Sequence, residues 1–81
     1  MQKHSELILL GKHLRALRKA KAFTQESFAY AVGINPRYYG AIERGEKNVA
    51  ARNLIRMACT LEVEVGKLFP PLKKLMKIVK K

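Results

Sequence analysis

The segment from Asn35 to Arg44 combines polar and small side chains at helical spacing. A helix over this segment would carry on one face Arg37, Tyr38, Ala41 and Arg44. Arginine donates two parallel hydrogen bonds to guanine in the major groove of DNA, and a small apolar side chain contacts the methyl group of thymine. The spacing therefore favours a surface that reads base pairs. An ordinary solvated basic face is the alternative that this segment alone leaves open.

Two short helices joined by a turn are predicted to position this face. Thr24 suits the N-cap of the first helix, and Gly33 suits the left-handed residue that ends it. Asn35 suits the next N-cap, with Pro36 at the first helical position, where a missing N–H costs little. Two short helices with a glycine turn between them form the helix-turn-helix pattern.

Apolar periodicity predicts further helices on both sides of this pair. The first carries Leu7, Leu10, Leu14 and Leu17, and the fourth carries Leu54, Met57, Ala58 and Leu61. A compact apolar cluster follows, consisting of Val63, Val65, Leu68 and Phe69, which predicts a short fifth helix ended by Pro70 and Pro71. The predicted fold class is therefore all-α, with five helices and a short extra helix at the C-terminus.

The chain lacks the residue patterns of an enzyme. Its only histidines are His4 and His13, and no metal-ligand spacing or phosphate-binding loop is visible. Cys59 is the only cysteine, which excludes an internal disulfide and fits a reducing compartment. We therefore predict no catalytic residue, no metal, no cofactor and no small-molecule ligand.

The charge points to a polyanionic partner. The 81 residues carry 17 basic and 6 acidic side chains, a net charge of +11. Nucleic acid is the first candidate and an anionic membrane the second. No apolar run approaches the roughly 18 residues that a membrane-spanning helix needs, and no signal peptide is visible. We therefore expect one small cytoplasmic domain that binds double-stranded DNA.

Several separate pieces of the sequence resemble the Cro/repressor (Xre-type) helix-turn-helix family. They occur in one order between Leu10 and Phe69: Leu17-Arg18, Thr24-Gln25, Ala29, Gly33-Ile34, Ile42 to Gly45, and Leu54 to Leu61. The small size and the ending ERGEKN…NL…LEV…LF look most like the controller proteins of restriction–modification systems, although phage repressors and antitoxins share the pattern. The resemblance implies a five-helix, lambda-repressor-like domain.

The resemblance also implies roles for particular residues. Helix 3 would enter the major groove, with base contacts from Asn35, Arg37, Tyr38 and Ala41. DNA-backbone contacts would come from Thr24, Gln25, Arg44, Lys47 and Asn48. A structural salt bridge would join Arg18 to Glu43. The family usually has glycine in a left-handed conformation where Ala22 stands. Either alanine tolerates that conformation here, at a cost of about 1 kcal/mol, or the turn differs.

A homodimer is the predicted assembly, and its contact residues are apolar side chains that lie off the core stripes. The predicted dimer interface comprises Ile55, Cys59, Val63, Val65 and Phe69. Scattered exposed apolar residues are also normal on protein surfaces. Contact with a second copy and ordinary exposed surface therefore both remain open for these residues.

The tail divides the chain into a helix-turn-helix domain, residues 1–69, and a basic amphipathic segment, residues 70–81. Leu72, Leu75, Met76 and Val79 recur at helical spacing among lysines. Docking on the domain or its mate, a DNA-binding arm and membrane binding remain open for the tail. The predicted function is a sequence-specific DNA-binding transcriptional regulator acting as a homodimer on a symmetric operator. The alternative is a protein-interaction adaptor or antitoxin-like module that uses this tail.

Overall fold

The computed structural model describes residues 4–79, which contain five α-helices, one 3-10 turn and no strand. The helices are α1 (Ser5–Ala20), α2 (Gln25–Val32), α3 (Pro36–Glu43), α4 (Ala51–Leu61) and α5 (Leu72–Val79), and the 3-10 turn is Val65–Leu68. The predicted all-α class is confirmed. The ends of the predicted domain division, residues 1 and 81, lie outside the described residues, and the division at residue 69 stays a prediction.

The segment predicted as a fifth helix is a single 3-10 turn, so the tail forms the fifth α-helix. Only four residues lie between the cap residues Glu64 and Phe69, and one of them is Gly66, a poor helix former. Pro70 and Pro71 follow, and proline cannot continue a helix because it lacks the amide donor. The segment is therefore too short and too interrupted for an α-helix.

Local capping fixes the ends of α2 and the start of α3. The Thr24 hydroxyl accepts from the Ser27 amide, while the Ser27 hydroxyl accepts from the Thr24 amide, so each caps the other. Gly33 has φ 92°, the left-handed conformation in which glycine lacks the steric penalty of a Cβ atom. Asn35 caps α3 with Pro36 in its first turn, as predicted.

Eleven buried apolar side chains form one core between α1, α2, α3, α4 and the 3-10 turn. Phe28 and Tyr39 lie at its centre, with ring centroids 5.1 Å apart and an edge-to-face arrangement. Leu14 and Leu68 are fully buried and bring α1 and the 3-10 turn onto this pair. The core therefore holds the inner face of α3 against the rest of the domain.

Gly11 allows α1 to approach the C-terminal end of α3. A Cβ atom at this position would lie 2.6 Å from the Ile42 carbonyl oxygen and would also overlap the carbonyl of Glu43. Such contacts require the backbone of one helix to move. A glycine is therefore needed in the middle of α1, where alanine would otherwise be the better helix former.

The tail helix α5 contacts α1 but keeps its apolar stripe exposed. Lys74 lies beside Lys12 and His13 of α1. Leu72, Met76 and Val79 are 70%, 54% and 51% exposed. Among the described residues, no helix is both long and apolar enough to cross a bilayer. Docking on the domain, one of the three alternatives left open for the tail, therefore involves only part of α5.

Candidate nucleic-acid interface

The turn between α2 and α3 fixes how α3 is presented. The amides of Gly33 and Ile34 both donate to the Ala29 carbonyl, at 2.8 and 2.9 Å, which ends α2 tightly. The Asn35 Oδ1 atom then accepts from the amides of Arg37 and Tyr38, at 2.7 and 3.4 Å. Since this oxygen caps the helix, only the side-chain NH2 group of Asn35 is left to contact a base.

A buried ion pair fixes the opposite end of α3. Arg18 donates from Nε to Glu43 Oε2 at 2.6 Å and from Nη2 to Oε1 at 3.2 Å. Its Nη1 donates to the Phe23 carbonyl at 2.8 Å, and Gln25 Nε2 donates to Glu43 Oε1 at 2.9 Å. The pair that the family resemblance implies is thus present. It joins α1, the start of α2 and the end of α3.

The environment of this network favours the charged form of both partners. Burial by itself raises the pKa of Glu43, but hydrogen bonds from Arg18 and Gln25 outweigh burial, so this pKa lies below its usual value. The hydrogen bonds to Glu43 raise the pKa of Arg18 despite its burial. Burial raises the pKa of the neighbouring Tyr39 hydroxyl, which stays protonated at all ordinary pH values. Arg18 and Glu43 are therefore both charged at neutral pH, whereas Tyr39 is neutral.

The predicted phosphate-binding side chains all lie on exposed residues around the outer side of α3. They are Thr24, Gln25, Arg44, Lys47 and Asn48. Gln25 also braces Glu43, as described above, and the Thr24 hydroxyl is used for capping. Arg44 donates from Nε to Glu46 Oε1 at 3.2 Å, and its side chain is 57% exposed. An exposed ion pair of this kind is weak, and Arg44 can exchange Glu46 for a phosphate at little cost.

Ala41, one of the predicted base-contacting residues, is buried in the structure. This residue is only 8% exposed, so its methyl group is covered in the free protein and is not presented to a thymine. Helical spacing alone places Ala41 on the outward stripe, but the neighbouring residues close over so small a side chain. Little of Ala41 is thus accessible in the free protein, and its contact with a base stays a prediction.

Tyr38 is half-buried, and its hydroxyl donates to the main-chain carbonyl of Asn48 at 3.0 Å. The bond ties α3 to the loop that precedes α4. The loop leads into the first turn of α4, which begins at Ala51. The N-cap is Ala50, with no side-chain hydrogen bond. Tyr38 thus positions the loop that carries Lys47 and Asn48. The same hydrogen bond limits the freedom of the Tyr38 side chain to contact a base.

Sequence reasoning missed two residues that position this surface, Gly11 and Ser27. A glycine inside an otherwise helical pattern is a signal for close backbone approach, and Gly11 carried that signal. Ser27 stands three residues after Thr24, the spacing of a capping box, although glutamate or glutamine is more usual there. Gly11 lets α1 approach α3, and Ser27 completes the cap at the start of α2, so both influence where α3 lies.

The residues predicted to contact a second copy lie on α4 and on the segment that follows it. Ile55, Cys59, Val65 and Phe69 are exposed, while Val63 packs partly against the core. Val63 therefore already has an intramolecular partner, and the other four side chains remain available at the surface.

Comparison with known proteins agrees with this architecture. Residues 14–68 match the helix-turn-helix family HTH_3. The chain is 40% identical over 66 residues to the uncharacterized HTH-type transcriptional regulator YazB of Bacillus subtilis, covering 82% of this chain and 96% of YazB. The restriction-modification controller protein C.AhdI from Aeromonas hydrophila has a similar structure, with a TM-score of 0.79 and 38% identity, over 82% of this chain and all of that one.

A structure of the biofilm master regulator SinR in complex with DNA is also similar, with a TM-score of 0.70 and 27% identity. The similarity covers 73% of this chain and 95% of that one. The family match spans most of the residues whose resemblance was noted in the sequence, from the second half of α1 to the 3-10 turn. The chain therefore belongs to the HTH_3 helix-turn-helix family.

Proposed function

We propose that this protein is a sequence-specific DNA-binding transcriptional regulator that places α3 in the major groove. The observation that carries the proposal is the way α3 is held. Its last residue, Glu43, is fixed by a buried ion pair, while Arg37 in its first turn is exposed and its side chain forms no hydrogen bond or ion pair with a described residue. A rigidly held helix with a free arginine at its start is what major-groove recognition requires. The names of YazB and of the SinR–DNA complex support the same function.

The described residues divide into two roles in this proposal. Arg37 reads a base, with the Asn35 amide as a second contact at the start of the helix. Thr24, Gln25, Arg44, Lys47 and Asn48 hold phosphates and set the register of the protein on the duplex. Base contacts supply specificity, whereas phosphate contacts supply affinity that falls with salt. No step of this function needs a catalytic group, metal or cofactor.

The proposal includes a homodimer bound to a two-fold symmetric operator in the cytoplasm. A single subunit presents one short recognition helix, so two copies are needed to read two half-sites. Their recognition helices would lie roughly 34 Å apart, one turn of DNA. Ile55, Cys59, Val65 and Phe69 are our candidates for the contact between copies. The likeness to C.AhdI makes a controller of a restriction–modification system the most specific form of the proposal.

Selection from a randomised duplex pool, at moderate and at raised salt, tests the function directly. A two-fold symmetric consensus that survives raised salt would support a dimeric regulator and reveal its operator. Enrichment of nothing, with binding lost as salt rises, would leave only non-specific electrostatic attraction. The exposed stripe of α5 would then favour the adaptor alternative.

Two matched variants separate base reading from phosphate binding on the selected operator. Arg37→Ala should cost about 1–3 kcal/mol and relax preference at one base pair of each half-site. Lys47→Ala should weaken all sequences alike and reduce the salt slope by about 0.9 per lysine, or about 1.8 per dimer. Equal weakening of all sequences by Arg37→Ala would contradict its assignment to a base.

A further inference from the structure

A row of basic side chains lies on the exposed side of α1. Lys12, Arg15 and Lys19 are exposed and line one concavity of the surface. Lys12 also lines the next concavity, together with Lys74 of α5, so the four cations form one continuous surface, the α1 basic face. Within residues 4–79, none of these four side chains forms a hydrogen bond or an ion pair.

The α1 basic face points away from the recognition helix α3. Leu14 and Arg18 are buried, and they turn the inner side of α1 toward the core and the end of α3. Ala16, at the centre of the basic face, lies about 200° around the helix from both of them, at 3.6 residues per turn. A duplex held by α3 therefore leaves these cations unused. Only three of the 17 basic side chains contact that duplex in the proposed function, namely Arg37, Arg44 and Lys47.

The chemistry of the α1 basic face fits a phosphate backbone better than it fits a protein or a membrane. Ala16 is the only exposed apolar side chain that lines it, and Leu9 at its edge is half-buried. Protein interfaces concentrate their energy in buried, well-packed anchors, and binding to a membrane surface needs an apolar helix face. A phosphate backbone requires only cations. The row from Lys12 to Lys19 spans about 10 Å along α1, a length over which duplex DNA carries about six charges.

From these observations we propose that the α1 basic face binds the phosphate backbone of a second DNA duplex, so that the protein joins two duplexes. The inference rests on the proposed function, because α3 must hold the first duplex. The second contact is independent of base sequence, since phosphate contacts carry no sequence information, and its affinity falls steeply with salt. An operator-bound copy thereby holds another DNA segment close to the operator.

Retention of a second duplex on an immobilised operator tests this inference. The operator found by the duplex selection is fixed to beads, saturated with the full chain and mixed with a labelled duplex of random sequence at about 50–200 mM salt. The wild type should retain the labelled duplex, and retention should fall as salt rises. No retention at any salt, while the protein stays on the operator, would overturn the inference and leave the proposed function intact.

Lys12→Gln/Lys19→Gln removes two cations of the α1 basic face and leaves α3 unchanged. Affinity for the second duplex should fall roughly tenfold or more at about 100 mM salt, and its salt slope by about 1.8 per subunit, or about 0.9 per phosphate contact. Lys73→Gln/Lys77→Gln is the matched control, because these exposed lysines line neither concavity and their loss changes the net charge equally. The control should stay within about twofold of the wild type, since salt screens distant charges. Circular dichroism would verify that both variants stay helical, and equal losses in the two would overturn the inference.

Three further results would overturn the inference in other ways. Retention that survives Lys12→Gln/Lys19→Gln would mean that two copies join the duplexes through their α3 helices. Binding of polyglutamate, or of vesicles with about 30% anionic lipid, that is lost in this variant while no second duplex is retained would assign the face to an acidic protein or a membrane. A chain that selects no operator, in an assay without a second duplex, would refute the proposed function itself and with it the two-duplex arrangement.

Discussion

Replacing Arg18 by leucine should destabilise the protein more than any exposed substitution in α1, because it leaves the buried Glu43 carboxylate without a cation. The side chains of the two partners are only 7% and 3% exposed. The substitution removes three hydrogen bonds, two to Glu43 and one to the Phe23 carbonyl. The hydrogen bond from Gln25 to Glu43 remains, but it brings no positive charge.

The expected loss is about 3–5 kcal/mol, the range for removing one partner of a buried ion pair. Three hydrogen bonds to charged groups at about 1.5–3 kcal/mol each would sum to more. However, the variant no longer has to move a guanidinium out of water on folding, and the free energy saved offsets part of the loss. A domain of 81 residues has a total stability of about 4–12 kcal/mol. Arg18→Leu therefore removes a large share of it.

Urea unfolding at pH 7, followed by far-ultraviolet circular dichroism, measures this loss. Arg15→Leu is the control, because Arg15 is an exposed arginine on the same helix, and it should change stability by no more than about 0.5 kcal/mol. Arg18→Leu/Glu43→Leu should recover most of the loss, since an apolar pair in place of two buried charges is often neutral or stabilising.

Two results would refute this reasoning. If Arg18→Leu and Arg15→Leu cost the same, the ion pair would not stabilise the arrangement of α1 and α3. If the double variant were no more stable than Arg18→Leu, the loss would come from packing of the arginine stem and not from an unpaired carboxylate.

Three further predictions concern pH and backbone geometry. The pKa of Glu43 is lowered in the folded protein, so its contribution to stability is present above the unfolded value of about 4.3 and is lost as pH falls through the lower folded value. Urea midpoints between pH 7 and pH 2 should therefore fall less steeply in Glu43→Gln than in the wild type. Ala22 has φ 63°, so Ala22→Gly should stabilise the protein by about 1 kcal/mol in the same urea assay, and a loss would contradict the strain. Gly11→Ala should destabilise by about 1–3 kcal/mol because its Cβ overlaps the end of α3. Gly66→Ala is its control, since no atom lies within 4 Å of a Cβ there, and equal effects of the two would refute the close approach.

Features that depend on a few adjacent residues could be predicted from the sequence. The capping by Thr24, the left-handed Gly33 and the start of α3 at Asn35 and Pro36 all follow from local backbone chemistry. Of the two alternatives left open for Ala22, a left-handed conformation and a different turn, the structure has the first. These features determine where the helix-turn-helix begins, turns and ends.

Features that depend on packing between distant segments could not be predicted in the same way. Periodicity placed Ala41 outward, but tertiary neighbours cover it. No pattern in the sequence indicates that the Tyr38 hydroxyl bonds to a carbonyl ten residues away. The exposure of α5 likewise depends on how little of α1 it contacts. Each of these features depends on which segments meet, and many arrangements of the segments satisfy the same sequence pattern.

Few of the predicted base-contacting side chains are free in this structure, which limits the specificity that direct base contacts can supply in the proposed function. Of the four predicted base-contacting residues, Ala41 is buried, the Tyr38 hydroxyl is bonded, and the Asn35 oxygen caps α3. Arg37 is then the main base reader, with the NH2 group of Asn35 as a second contact, and one bidentate contact such as that of Arg37 discriminates by about 1–3 kcal/mol. A dimer doubles this to about 2–6 kcal/mol, against about 4–10 kcal/mol for typical specific binding. One Arg37 contact in a monomer would therefore fall short. The two contacts of a dimer overlap only the lower part of the range, which leaves the rest to Asn35 and to how easily the operator deforms.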